Sequence, residues 1–149
     1  MKRLLLPVLL LIASLQAFAS FDEWFLNKTL RIDYYHTGNS ETELYSIDQV
    51  KSEPYWGGSL ITLIDTLNYG EYYFKAFDAQ SNELIYSRGY CTLFGEWQFT
   101  EEAKQLTRTF TETVVMPFPK KNVRVEFFSR NRKGTYDKVY EYTVEIKNY

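Results

Sequence analysis

The sequence has 149 residues, with 17 Lys+Arg against 19 Asp+Glu, one His and one Cys. That length fits one domain, a lone Cys excludes an intrachain disulfide, and a lone His excludes a zinc helix built on two histidines. A net charge of −2 disfavours nucleic acid, whose binding is driven by Lys and Arg on phosphate.

The chain opens on a targeting pattern. Lys2 and Arg3 are basic, Leu4 to Leu15 is apolar apart from Pro7 and Ser14, and Ala17-Phe18-Ala19 offers small residues where a signal peptidase reads. A signal peptide over residues 1–19, cleaved between Ala19 and Ser20, is expected, followed by a single domain over 20–149. The apolar stretch falls short of the roughly 20 residues a membrane span needs, so no span is expected after signal removal. Loss of Lys2 and Arg3 leaves 15 Lys+Arg against 19 Asp+Glu, a net of −4. The expected location is secreted, periplasmic or at the cell surface.

Phe21-Asp22-Glu23-Trp24-Phe25 reads as one helical turn or an ordered arm. Leu30, Ile32 and Tyr34 then alternate with Arg31, Asp33 and Tyr35, the period of a strand with one buried face. His36 to Ser40 is expected as the turn that ends it. A weaker strand follows, with Leu44, Ser46, Asp48 and Val50 on one face and Tyr45, Ile47 and Gln49 on the other, stopped by Pro54. Trp56-Gly57-Gly58 is a tight loop, and Ile61 to Leu67 is either a strand or a connection.

Glu71 to Phe77 is a strand with Tyr72, Phe74 and Ala76 on one face. Asp78 to Asn82 turns it into a returning strand over Leu84 to Leu93. The one helical signal is Thr100 as a cap, Glu101 and Glu102 in the first turn, then Ala103 and Leu106. Thr107 to Met116 alternates like a strand, four Thr strengthening it, and Pro117 and Pro119 should end it. Val123, Val125 and Phe127 form the next strand and Asn131 to Gly134 a turn. Tyr140, Tyr142, Val144 and Ile146 form the last strand. Six to eight short strands with one short helix predict an all-β fold, an antiparallel, immunoglobulin-like β-sandwich. The abundance of rings, 13 Tyr, 11 Phe and 3 Trp, fits pleated surfaces.

Little in the sequence supports catalysis. His36, placed in a turn, reads as a solvated strand-end residue, and no nucleophile–base pair is evident. Cys91, in the apolar run Tyr90 to Phe94, reads as a buried thiol acting as a small hydrophobe. Glu101 and Glu102 are neighbours, which point apart on a helix, and nothing nominates a facing carboxylate pair. No catalytic, cofactor or metal residue is therefore expected, and no cofactor. The adjacent pairs Tyr34 and Tyr35, Tyr72 and Tyr73, and Phe127 and Phe128 put rings on both faces of the strands. Those rings form a binding surface unless both faces are covered. Trp56 and its neighbour Tyr55 are the candidate contact residues, with a buried corner as the other role for Trp56.

Several segments, in order, carry a family resemblance: Lys28 to Tyr35 with Thr37-Gly38-Asn39, Pro54 to Gly58, Leu93 to Trp97, Thr100 to Lys104, and Met116 to Lys121. Together they resemble the N-terminal domain of the secreted IgA-peptidase-type metallopeptidases, family sixty-four, typical of Bacteroides and its relatives. The resemblance implies a β-sandwich placed before a zinc peptidase domain, with the zinc ligands and catalytic Glu in that second domain and none here. It also implies core or corner positions for Trp56, Trp97 and Pro117-Phe118-Pro119. The expected function is that of an exported, non-catalytic accessory domain acting by contact. Its partner would be an exported protein or a surface glycan, including a metallopeptidase domain. A truncated or split product of a full-length zinc metallopeptidase is the alternative.

Overall fold

The computed structural model describes residues 20–149; the expected signal peptide, Ala19 included, lies outside the described residues. One helical turn, α1 (Phe21–Trp24), leads into β1 (Phe25–Gly38), which returns as β2 (Glu43–Glu53). After a long loop come β3 (Tyr72–Asp78), β4 (Leu84–Tyr90), a six-residue helix α2 (Leu93–Gln98), β5 (Arg108–Pro119), β6 (Val123–Arg130) and β7 (Tyr136–Val144). All pairings are antiparallel. One sheet has the order β2-β1-β5 and the other β4-β3-β6-β7.

The two sheets close face to face as a sandwich. Leu30, Ile32, Tyr34, Val114 and Met116 come from one inner face, and Phe74, Ala76, Val125 and Phe127 from the other. These are the alternate positions of their strands, so period two in the sequence becomes one buried layer. A satellite core of Tyr72, Phe94, Trp97 and Ala103 forms under α2 at one end.

Several sequence expectations are corrected. His36 is no turn residue: β1 runs on to Gly38, and His36 is fully buried. In β2, Asp33 pairs with Gln49 but Tyr34 with Ile47, leaving Asp48 as a bulge. The extra residue reverses the phase, so Val50 joins Tyr45 and Ile47 against the core. The returning strand stops at Tyr90 rather than Leu93, because Thr92 caps α2 by accepting from the Gly95 N–H at 3.1 Å. Around Ala103 there is only a single 3-10 turn, Glu102–Lys104. Pro117 and Pro119 do not end β5, which extends to Pro119. It is the edge of its sheet, where a missing N–H can face outward without breaking a ladder. Ile146 lies in a 3-10 turn beyond β7. The Ile61 to Leu67 segment is a connection.

Candidate contact cleft

Four strand edges bound the sandwich. β2 and β7 approach one another on one flank. On the other flank a cleft of about 550 Å³ separates the β4 and β5 edges. Phe74, Tyr86, Tyr90 and Val114 line its interior, and Glu53, Arg88 and Cys91 stand among its walls. Burial pushes the Tyr86 phenol above its ordinary pKa, with Arg88 opposing the rise.

Trp56 enters this cleft from the loop after β2. Its ring stands edge-on to Tyr86, centroids 6.0 Å apart, and its Nε1–H donates to the Ser59 carbonyl at 3.1 Å. A side chain on Gly58 would lie 2.2 Å from the indole. Glycine is needed there because the backbone itself packs on the ring. Trp56 is half-buried, so one residue combines a corner role with a place on the cleft wall. Tyr55 points out, 80% exposed, while its carbonyl accepts from the buried Thr29 hydroxyl at 2.5 Å. Ser20 is exposed at the start of α1, and its carbonyl accepts from the Glu23 N–H.

The rest of that loop is apolar and open: Leu60, Ile61 (90% exposed), Leu67 and Tyr69 (74%) project into solvent. Leu63 turns inward and Ile64 is half-buried. The loop is nevertheless anchored along β4 and β3. The Ser87 N–H donates to the Leu63 carbonyl, the Gly89 N–H to Asp65 Oδ2 at 2.9 Å, and the Tyr73 hydroxyl to the Asp65 carbonyl at 2.7 Å. These bonds explain why Tyr73, on the outer face of its sheet, is buried. Of the three adjacent aromatic pairs, only Tyr35 is an exposed ring. Apolar exposure has moved from the strands to the loop.

Behind Tyr90 lies the polar centre that sequence reasoning missed. His36 Nδ1 is 3.0 Å from Glu112 and Nε2 is 3.1 Å from Glu43. The Tyr34 hydroxyl donates to Glu112 at 2.9 Å, so Tyr90, 3.2 Å away, donates to Tyr34. The Phe94 N–H donates to the other Glu112 oxygen at 3.1 Å. Phe94 stacks on the imidazole with centroids 3.7 Å apart. Burial opposes an imidazolium here, but the bonds to Glu112 and Glu43 outweigh it and raise the His36 pKa. Burial likewise disfavours a charged Glu112, yet His36, Thr92 and Tyr34 hold its pKa below the ordinary value. Burial drives the phenols of Tyr34, Tyr45, Tyr72 and Tyr90 far upward. With both ring nitrogens engaged and no path to solvent, His36 is placed to hold elements together, not to move protons for a substrate.

Cys91 is exposed, not buried. The turn into α2 lifts it out of the apolar run it shares with Tyr90 and Phe94. Among the described residues no group of three or more His, Cys, Asp or Glu could hold a metal ion, and no helix is long and apolar enough to cross a membrane. The arrangement offers shape, exposed apolar area and an open strand edge, which are means of binding. The family model described as the peptidase M64 N-terminus matches residues 20–141. No curated protein matches the chain.

Proposed function

We propose, from the premise that this chain belongs to the peptidase M64 N-terminus family, that it is an exported, non-catalytic contact domain. Its partner is a folded exported protein, most directly a zinc peptidase domain of the same family. The observation that carries the reading is the loop between β2 and β3. It presents Tyr55, Leu60, Ile61, Leu67 and Tyr69 to solvent, yet it is pinned to β4 by the Ser87 N–H on the Leu63 carbonyl, the Gly89 N–H on the Asp65 carboxylate and the Asp65 N–H on the Ser87 hydroxyl. A loop held in place while exposing large apolar groups is pre-organised for a partner, because little ordering entropy remains to be lost on docking. Export is supported by the signal-peptide pattern and by a family match that starts at residue 20, just past the expected cleavage site.

The test is sedimentation of the chain with a zinc domain from a peptidase of this family. Association is expected, weakened at least about tenfold by the double variant Ile61→Ser, Tyr69→Ser, with unchanged melting because both side chains already face water. Absence of association at about 100 µM of each partner would overturn the reading.

A further inference from the structure

The four strand edges are not treated alike. β2 is broken by the Asp48 bulge, and β7 carries an unpaired Val139, since Phe127 pairs with Tyr140 but Phe128 with Lys138. β4 is covered by the loop through Ser87 and Gly89. Bulges and covering loops are the devices by which proteins blunt edges against further pairing. β5 has neither between Thr109 and Met116. Its prolines come only afterwards, at Pro117 and Pro119. Among the described residues, its backbone over this stretch forms no bond beyond the ladder with β1. Its one charge there, Glu112, is turned inward onto His36. The open edge also borders the cleft, through Thr113, Val114 and Val115.

We propose that the β5 edge from Thr109 to Val115 is a strand-addition site for an extended polypeptide segment with apolar side chains at every second position. This rests on the contact reading above and names the form of the contact. An unpaired edge requires donors and acceptors at the strand repeat, which a polypeptide supplies and a glycan does not. A segment laid along seven residues spans about 24 Å, and every second side chain turns toward the cleft. There the half-buried Trp56 and Tyr90 offer aromatic surface over the buried Phe74 and Tyr86. Glu53 and Arg88 balance in sign, so the segment needs no net charge. A second copy pairing through its own β5 would leave the cleft unfilled, because Val114 and Glu112 of that copy are committed to its own interior.

The test is amide hydrogen exchange of the purified chain with a nine-residue peptide alternating Val with Thr and Lys, at about 1 mM. Alternate amides from Thr109 to Val115 should slow at least tenfold. An analogue N-methylated at every second residue should leave them unchanged. Gly57→Phe should abolish the protection without lowering the melting temperature. Nothing lies within 4 Å of a side chain at Gly57, so the ring has room in the cleft it lines. Equal protection by the N-methylated analogue, or none by either peptide, overturns the proposal. Concentration-dependent protection of the same amides without peptide overturns it in favour of a second copy. A chain that binds the zinc domain but shows no alternating protection overturns this inference alone; alternating protection without zinc-domain binding overturns the contact reading alone.

Discussion

Glu112 holds His36 from β5 while bonding the Phe94 N–H of α2, so a single carboxylate ties the middle of one sheet to the helix that closes the sandwich end. Full bonding of both Glu43 and Glu112 to the ring requires protons on both nitrogens. The His36 pKa is raised above 6.5, so its stabilisation is complete below 6.5 and is lost as pH rises through the folded value. The Glu112 pKa is lowered below 4.5, so its contribution is complete above 4.5 and is lost as pH falls through the folded value. Stability should therefore be greatest between these two values and decline on either side. Urea unfolding across pH checks this, and a flat profile on the alkaline side would contradict it. His36→Gln should remove the alkaline decline and cost about 3 kcal/mol, the scale of breaking a buried pair from one side.

Tyr72 gives a change of opposite sign. Its hydroxyl is buried without a hydrogen-bond partner, while its ring packs under α2 against Phe94. Tyr72→Phe keeps the ring and removes the orphaned group, so it should be neutral or stabilising by up to about 1 kcal/mol. Chemical denaturation decides it; a loss of more than about 1 kcal/mol would mean the hydroxyl is engaged.

Trp56 and Tyr55 are adjacent but should behave differently. Trp56→Ala removes the ring packed on Tyr86 and Gly58 and should cost about 3 kcal/mol. Tyr55→Ala should stay within about 0.5 kcal/mol, because the bond Thr29 makes is to the Tyr55 backbone. Paired thermal melts of the two variants give the comparison.

Cys91 should alkylate in the native chain at nearly the rate seen in urea, since it is exposed. Intact mass after a short iodoacetamide pulse reports it. Protection of the native thiol would contradict its exposure at the turn into α2.

Where the sequence was legible, burial depended on a residue's own strand. Leu30, Ile32 and Tyr34 alternate, as do Tyr72, Phe74 and Ala76, and each set lands in the core. The sandwich followed from counting such runs. His36 was not legible, because its burial is made by Glu43 from β2, Glu112 from β5 and Phe94 from α2, which only the fold assembles. Pro117 and Pro119 misled for a related reason: a proline ends a central strand but not an edge, and edge status belongs to the sheet. The helix over Leu93–Gln98 did leave a signal, Thr92 as cap and Glu96 in the first turn, masked by the stronger Thr100-Glu101-Glu102 pattern that makes only a 3-10 turn. The cleft left only Trp56 with its two glycines as a signal, since Glu53, Arg88 and Cys91 meet it only through the sandwich.

The β1–β5 ladder pairs Ile32 with Val114 and Tyr34 with Glu112, so the three-stranded sheet joins segments some 80 residues apart in the chain. By contrast, β3 and β4 are joined by a short hairpin and need little search to meet. Loop closure over so long a separation must precede the contacts that reward it. Refolding should accordingly be slow, on the order of milliseconds to seconds, with the β1–β2 hairpin forming early and its seam with β5 closing late. Until β5 arrives, Leu30, Ile32 and Tyr34 lack the neighbouring strand that completes their sheet. A nascent chain would then carry apolar β1 with only β2 beside it until some 80 further residues have been made, an interval in which a chaperone would be the means of keeping that face from other chains.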